Sequence, residues 1–278
     1  MVVPKMPEIS TAIIGAGWLG KPLAARLLAQ GGSILTTRRS AVGCDELKAA
    51  GLPCVALDLA ADDANLTPLA GFSRLVLAFP PGIRRGKGEQ YLDMLARLRD
   101  GLAGTKVRQI LLVSSTGALA DVEAEVDEQT PADPHSPLAQ AEQALLQDSR
   151  YQSSVIRMAG LFGPGRYPGR FLAGKSELPR GAAPVNLIHQ SDAVGLCLAI
   201  LNQQRVGEIF HGVAPVAYRR DHFYTEAAKL LGLASPHFAD QQGGKRVLGD
   251  WTAQSLGYQY QVPDPLAWCQ GAASGVEC

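Results

Sequence analysis

Short apolar runs rich in β-branched residues alternate, along the first half of the chain, with segments whose apolar residues recur at helical spacing. The short runs predict strands near residues 11–15, 33–37, 53–57, 74–79, 108–114 and 153–157. The helical pattern occurs near residues 18–30, 45–50, 63–69, 88–103 and 137–148. Strands that alternate with helices in this way predict a parallel sheet with helices on both faces.

Beyond the sixth predicted strand the pattern changes, because glycine, proline and basic residues become frequent and the apolar periodicity weakens. Two further helices are predicted near residues 191–203 and 221–232, with a strand near residues 207–212 between them. We therefore predict a main domain over residues 1–160 and a smaller C-terminal substrate-binding region over residues 161–278. Some segments of the second region are expected to pack back on the sheet of the first.

The first predicted strand leads directly into a Gly-x-Gly-x-x-Gly turn formed by Gly15, Gly17 and Gly20, and a predicted helix follows at once. In that context Gly15 permits the tight turn, Gly17 lets a pyrophosphate approach the backbone, and Gly20 lets the helix pack closely on the strand. Trp18 and Leu19 complete the turn at the helix N-terminus, whose N–H groups bind phosphate. The turn predicts a dinucleotide site in a Rossmann-type, doubly wound α/β fold. The alternative is a glycine-rich turn without a ligand.

The second predicted strand ends in two arginines, Arg38 and Arg39. A site for NAD usually carries an acidic residue at this position, where it binds the ribose 2′-hydroxyl, and this chain has none there. Paired guanidinium groups suit the 2′-phosphate of NADP, so the sequence favours NADP over NAD. Either arginine alone is also typical of a solvated surface.

Asp58 and Leu59 follow the third predicted strand. An ionised carboxylate accepts hydrogen bonds only, so Asp58 is a candidate to bind the amine of adenine. The alternative is that Asp58 caps the backbone of the segment that follows.

The loop after the fourth predicted strand begins with Phe79, Pro80 and Pro81, a rigid apolar segment suited to lie along a ribose and nicotinamide. Arg84 lies in the basic, glycine-containing stretch that comes next and is a candidate to bind an anionic substrate. A solvated loop explains Arg84 equally well, since exposed loops often carry charge.

Three consecutive hydroxyl residues, Ser114, Ser115 and Thr116, end the fifth predicted strand. Hydroxyl groups at the carboxyl end of a central strand can hold a substrate oxygen beside a nicotinamide. We assign Ser114 to the cofactor and Ser115 and Thr116 to catalysis. The alternative is a set of turn residues that cap backbone groups.

Composition excludes several function classes. Among 278 residues, 46% are hydrophobic and the 26 basic residues balance the 26 acidic ones, which argues against a nucleic-acid binder. No apolar stretch reaches the ~20 residues that span a bilayer, and residues 1–10 are too short and polar for a secretory signal. We expect a cytoplasmic protein with no membrane partner. The cysteines lack metal-ligand spacing, so we expect reduced thiols and no metal site at Cys44, Cys54, Cys197, Cys269 and Cys278.

The motifs together resemble the extended or atypical branch of the short-chain dehydrogenase/reductase superfamily, which includes NAD(P)-dependent epimerases and dehydratases. The resemblance covers nearly the whole chain. It rests on the glycine turn and on the segments Asp58-Leu59, Leu112–Thr116, Val155–Arg166, Asn186–Asp192 and Gly207–Phe210.

That family uses a tyrosine as acid or base and a lysine four residues later. The resemblance places Leu138 and Glu142 at these two positions, and residues 92–150 contain no tyrosine. Ser115 matches the catalytic Ser/Thr of the family. His135 is the one imidazole in this segment and is the candidate proton donor, since imidazole titrates near neutral pH; the alternative is an exposed loop histidine.

The resemblance also implies a substrate site in the second region, often for nucleotide-linked molecules. Arg166 is a candidate to bind phosphate, and Asn186 and His189 match polar residues on the substrate side. A solvated basic loop and structural hydrogen bonds are the alternatives.

Two functions are favoured at this point over a third, a purely structural relative without cofactor, which leaves the glycine turn and the arginines unexplained. The first is an NADP-preferring oxidoreductase or epimerase-like enzyme that acts on a small carbonyl or hydroxyl substrate with an altered catalytic set. The second is a non-catalytic NADP(H)-binding redox sensor or regulator. The expected partner is a small-molecule substrate, and a homodimer is left open.

Overall fold

The computed structural model describes residues 10–273, which form an α/β fold. The strands are β1 Ser10–Ile14, β2 Ser33–Arg38, β3 Cys54–Ala56, β4 Arg74–Leu77, β5 Gln109–Ser115, β6 Glu125–Val126, β7 Gln152–Met158, β8 Gly160–Phe162, β9 Leu187–His189, β10 Ile209–Gly212 and β11 Arg246–Val247. The α-helices are α1 Gly20–Ala29, α2 Ala41–Ala49, α3 Gly88–Gly101, α4 Pro137–Leu146, α5 Gln190–Asn202, α6 Arg220–Leu230, α7 Asp250–Leu256 and α8 Pro265–Ala273.

Seven strands form one parallel sheet in the order β10-β7-β5-β4-β1-β2-β3. The two central strands pair in register, with Ala12 of β1 opposite Leu75 of β4. Both residues are fully buried, because helices cover a doubly wound sheet on each face. The order reverses direction between β1 and β4, and in such sheets ligands bind beyond the carboxyl ends of the strands at this reversal. The predicted Rossmann-type fold is confirmed.

The described residues divide into two compact units, each made of several segments. The first unit contains residues 10–118, 133–156 and 200–209, and the second contains residues 119–132, 157–199 and 210–273. The first holds β1–β5 and α1–α4. The core of the second is built around the side chains of Phe162, Phe223 and Trp268.

One predicted helix is wrong. Residues 63–69 contain only a single 3-10 turn at Thr67–Leu69. The side chain of Asn65 accepts a hydrogen bond from the backbone N–H of Thr67 at 3.0 Å, and Pro68 follows. Short polar side chains that bind nearby backbone groups compete with helix formation, and proline cannot donate to a helical ladder.

The expectation of reduced thiols is also wrong for one pair. Cys44 on α2 and Cys54 on β3 form a disulfide, with their Cα atoms 5.2 Å apart. Cys197 and Cys269 are free and buried, and burial raises the pKa of each thiol to about 12. Cys278 lies outside the described residues.

Reduction of this disulfide is expected to lower the free energy of unfolding by about 2–3 kcal/mol, because the bond constrains a short loop of the unfolded chain. The measurement is urea unfolding of the protein with and without a thiol reductant. A double variant, Cys44→Ala with Cys54→Ala, serves as the control and should not respond to the reductant. Equal midpoints for the untreated and reduced wild type would contradict the expectation.

Between residues 10 and 273, no helix is long and apolar enough to cross a membrane. Over the same range, no group of three or more histidine, cysteine or acidic side chains is arranged to hold a metal ion.

Candidate functional site

Two of the three glycines in the turn after β1 are required by the fold itself. Gly15 has a φ of +88°, and a Cβ atom there would lie 2.7 Å from the backbone of Phe79. A Cβ at Gly20 would lie 2.8 Å from the carbonyl oxygen of Gly15. Neither position can accept a side chain without movement of the backbone.

Gly17 differs from its neighbours, because a Cβ there would meet only the carbonyl oxygen of Gly15, at 3.9 Å. The protein therefore leaves space beside the backbone of Gly17. Helix α1 begins three residues later at Gly20, no side chain caps its N-terminus at Leu19, and its first turn carries no acid. Helix N-termini present unpaired N–H groups and a positive dipole to an anion, so the turn suits a phosphate.

Two hydrogen bonds to Thr37 of β2 stabilise the conformation of the glycine turn. The backbone N–H of Gly15 donates to Oγ1 of Thr37 at 3.2 Å, and the N–H of Ala16 donates to the Thr37 carbonyl oxygen at 3.0 Å. No role was predicted for Thr37, although its position directly before the two arginines could have suggested one. Within the turn, Leu19 is buried and Trp18 is half-buried.

Both predicted arginines lie where β2 runs into α2. The buried Nε atom of Arg38 has no hydrogen-bond partner within residues 10–273, whereas Arg39 is exposed. Ser40 caps α2 by accepting a hydrogen bond from the N–H of Gly43 at 3.2 Å. A buried polar nitrogen without a partner is costly unless a ligand or water satisfies it, so Arg38 is a strong candidate for an anion contact.

Asp58 and Leu59 occupy the loop after β3. Asp58 is exposed, and its carboxylate accepts a hydrogen bond from the N–H of Ala60 at 3.0 Å, which is the capping arrangement that the sequence left open. The side chain of Leu59 is buried, and its carbonyl oxygen accepts from Nη1 of Arg97 at 2.8 Å. Adenine binding by Asp58 stays a prediction.

An aromatic contact with α3 packs against the start of the loop after β4. The ring of Phe79 meets the buried ring of Tyr91 edge to face, with centroids 5.6 Å apart. Pro80 is exposed and Pro81 is half-buried. The exposed residue Arg84 lies in a 3-10 turn between two glycines with left-handed backbones.

The hydroxyl residues at the end of β5 have different surroundings. Ser114 is buried, and its Oγ donates a hydrogen bond to Oε1 of Glu142 on α4. Ser115 is half-buried and accepts from the N–H of Gly117 at 3.2 Å, which leaves its own proton available to donate. Thr116, also half-buried, begins a 3-10 turn. The sequence assigned no role to Glu142 as a partner of Ser114.

Within α4, the two positions that the resemblance assigns to tyrosine and lysine hold buried residues. Leu138 and Glu142 are both buried in α4. His135 is exposed, and its backbone N–H donates a hydrogen bond to the carboxylate of Asp133 at 2.9 Å. Catalysis by His135 stays a prediction.

The predicted substrate residues Arg166, Asn186 and His189 belong to the second unit. Arg166 is exposed in a tight turn, in which its backbone and that of Gly163 exchange hydrogen bonds. The amide of Asn186 is used twice: its Nδ2 donates to the carbonyl oxygen of Lys245, and its Oδ1 accepts from the N–H of Val247. These structural hydrogen bonds were the predicted alternative to substrate binding by Asn186.

His189 is buried between the rings of Phe162 and Trp268, at centroid distances of 5.2 and 5.0 Å. Its Nδ1 accepts from the N–H of Ser191 at 3.2 Å, and its buried Nε2 has no hydrogen-bond partner in the described part of the chain. Burial lowers the pKa of the imidazole, and the nearby carboxylate of Asp192 opposes that shift. A neutral ring with an unsatisfied Nε2–H remains a candidate donor.

A curated relative decides the family. The chain is 35% identical, over 267 residues, to protein YeeZ of Escherichia coli, and the match covers 92% of this chain and 97% of YeeZ. The chain belongs to the YeeZ family. No protein-family model matches this YeeZ-family protein.

Solved structures agree with the fold. A protein from Methylobacillus flagellatus, named for an NAD-dependent epimerase/dehydratase, has a TM-score of 0.76 and 26% identity, with 97% of this chain and 98% of that chain covered. UDP-glucuronic acid 4-epimerase from Bacillus cereus, solved with NAD, has a TM-score of 0.76 and 14% identity, with coverage of 96% of both chains. The human epimerase family protein SDR39U1, solved with NADPH, has a TM-score of 0.70 and 18% identity, covering 95% and 99%. These neighbours share the fold of this chain, and the Methylobacillus flagellatus protein, at 26% identity, agrees with the resemblance to NAD-dependent epimerases and dehydratases.

Proposed function

We propose that this YeeZ-family protein binds a nicotinamide dinucleotide on its first unit and belongs functionally with the epimerases and dehydratases it resembles. The observation that carries the proposal is the open space beside Gly17 at the uncapped N-terminus of α1. Packing requires glycine at positions 15 and 20, whereas the space around position 17 would admit a side chain. A pyrophosphate that approaches the backbone accounts for that difference. The solved neighbours bind NAD or NADPH, which supports the same cofactor class.

We further propose that the cofactor is NADP(H) rather than NAD(H). The residue at the end of β2 contacts the 2′ position of the adenosine ribose in this fold. Here that residue is Arg38, whose buried Nε lacks a protein partner, and no acid occurs beside it in Thr36–Ser40. A guanidinium group binds a phosphate through two parallel hydrogen bonds, so Arg38 fits a 2′-phosphate better than a hydroxyl.

The proposed reaction is hydride transfer involving a carbonyl or hydroxyl group. When bound, the nicotinamide supplies or accepts the hydride. Ser115 and Thr116 would donate hydrogen bonds to the substrate oxygen and hold it in place, because Ser115 ends β5 and Thr116 follows it. When hydride adds to a carbonyl carbon, the oxygen needs a proton, which we assign to His135 or water.

A nucleotide-linked or phosphorylated substrate is the class we propose. The epimerase from Bacillus cereus is named for UDP-glucuronic acid, and this chain carries candidate anion-binding arginines at Arg84 and Arg166. On the second unit, His189, with its buried and unsatisfied Nε2, is a candidate hydrogen-bond donor to a substrate.

One observation favours a second function, a non-catalytic NADP(H)-binding redox sensor. The positions that the resemblance assigns to the catalytic tyrosine and lysine hold Leu138 and Glu142, and both side chains are buried in α4. Neither residue can replace the tyrosine at a substrate oxygen. A sensor needs the residues that bind the cofactor but does not need the catalytic tyrosine and lysine.

A turnover assay separates the two functions. The protein is incubated with NADPH or NADP⁺ and a panel of UDP- and dTDP-sugars, and the absorbance of the reduced nicotinamide is followed. Since an epimerase regenerates its cofactor, the sugar products are also separated by chromatography. A product in either measurement supports the enzyme, whereas cofactor binding without any product across the panel supports the sensor.

With a substrate identified, Ser115→Ala is expected to lower kcat by about 10- to 100-fold, because it removes one hydrogen bond that positions the reacting oxygen. Affinity for NADPH should change less than threefold. Ser73→Ala, a half-buried serine at the opposite end of the sheet, is the matched control. Unchanged turnover in Ser115→Ala would remove Ser115 from the mechanism.

A further inference from the structure

A buried carboxylate lies beside the strand end that would face the nicotinamide. Glu142 is only 2% exposed in the second turn of α4, and it accepts a hydrogen bond from Ser114 near the end of β5. Acidic side chains are rarely buried to this degree without a specific role, since a carboxylate loses hydration there.

The groups around Glu142 connect it to the glycine turn. Burial and the negative charge of Glu142 both raise the pKa of Tyr91 on α3. The ring of Tyr91 contacts Phe79, and the backbone of Phe79 lies directly against Gly15. The carboxylate therefore belongs to the layer of side chains beneath the carboxyl ends of β1, β4 and β5.

The fold determines which half of a dinucleotide would lie above this layer. A dinucleotide crosses the crevice where the strand order reverses, here between β1 and β4. Arg38 and β2 lie on the adenosine side. The nicotinamide half would then lie toward β5, whose residue Ser114 donates a hydrogen bond to Glu142 on α4.

We propose that Glu142 sets the preference of this site between the two redox forms of the cofactor and favours the oxidised form. This inference rests on the proposed function. The oxidised nicotinamide ring carries a positive charge, and the reduced ring is neutral. A carboxylate close to the bound ring would stabilise the first form selectively, because the local dielectric in a protein is far below that of water.

Replacing Glu142 with glutamine removes one negative charge from the site and keeps the size of the side chain and an oxygen that can accept from Ser114. A purely structural role in joining α4 to β5 would weaken the binding of both redox forms alike. The ratio of the two dissociation constants separates the two roles.

The test compares the wild type, Glu142→Gln and a control, Asp93→Asn, which removes an exposed charge from α3. The Kd values for NADP⁺ and for NADPH are measured by calorimetry on each protein. We expect the ratio of Kd for NADP⁺ to Kd for NADPH to rise about tenfold in Glu142→Gln, as removal of a nearby charge predicts, and to stay unchanged in Asp93→Asn. An unchanged ratio in folded Glu142→Gln would overturn the inference.

The wild type alone provides a second measurement, should Glu142→Gln fail to fold. It is expected to bind NADP⁺ at least as tightly as NADPH, and a tenfold preference for NADPH would overturn the inference. Failure of the wild type to bind either form would overturn the proposed function as well. Binding of both forms with an unchanged ratio would overturn only the role of Glu142.

Discussion

Alanine at Gly17 is expected to leave the protein folded and weaken NADPH binding about 100-fold, whereas alanine at Gly15 should destabilise the fold by ~3 kcal/mol or more. The difference follows from the contacts of each position. A Cβ at Gly15 would lie 2.7 Å from the backbone of Phe79 in a left-handed conformation, and a Cβ at Gly17 would have no contact closer than 3.9 Å. The methyl group at position 17 therefore fills the space that a pyrophosphate would use.

Urea unfolding and fluorescence titration of both variants check this pair of expectations. Gly31→Ala is a useful third variant, because Gly31 also has a left-handed backbone, at a φ of +81°, but has no atom near its Cβ position. It should cost about 1 kcal/mol through backbone strain alone. If Gly17→Ala bound NADPH as tightly as the wild type, the glycine turn would not be the pyrophosphate site.

Arg38→Ala is expected to weaken NADPH binding by about 10- to 100-fold and to change NADH binding less than threefold. A hydrogen bond to a charged group contributes about 1.5–3 kcal/mol, and only NADPH carries the 2′-phosphate. The buried Nε of Arg38 makes no competing hydrogen bond within residues 10–273. The measurement is a titration of the wild type and the variant with each reduced cofactor.

Two further arginines sharpen the result. Arg39→Ala should have a smaller effect than Arg38→Ala, because Arg39 is exposed and solvent screens its charge. Arg26→Ala, an exposed arginine in the last turn of α1, should have no effect. Equal losses of NADPH and NADH affinity in Arg38→Ala would mean that the arginine does not recognise the 2′-phosphate.

Much of the fold could be predicted because hydrophobic periodicity extends over whole elements. The six main strands and the helices α1, α3, α4, α5 and α6 lie within a few residues of their predicted positions. The prediction began α2 too late, at residue 45, because Ser40 is the residue that caps it. The sequence did not reveal β6 and β9, which have two and three residues and lie outside the main sheet.

The site could be predicted only in part, for a related reason. Motifs such as the glycine turn are local, so spacing along the chain was enough to find them. The contacts of Thr37 with Gly15 and of Glu142 with Ser114 join residues 22 and 28 positions apart, and no local pattern encodes such pairs. The Cys44–Cys54 disulfide depends in the same way on the packing of α2 against β3.

The most direct test of nicotinamide binding by this YeeZ-family protein is a fluorescence titration of the purified wild type with NADPH and, in parallel, with NADH. Saturable binding of both, with NADPH at least tenfold tighter, is the expected result. Saturable binding without that preference would agree with cofactor binding at the glycine turn but would contradict recognition of the 2′-phosphate by Arg38. Absence of binding for both would contradict the proposed function.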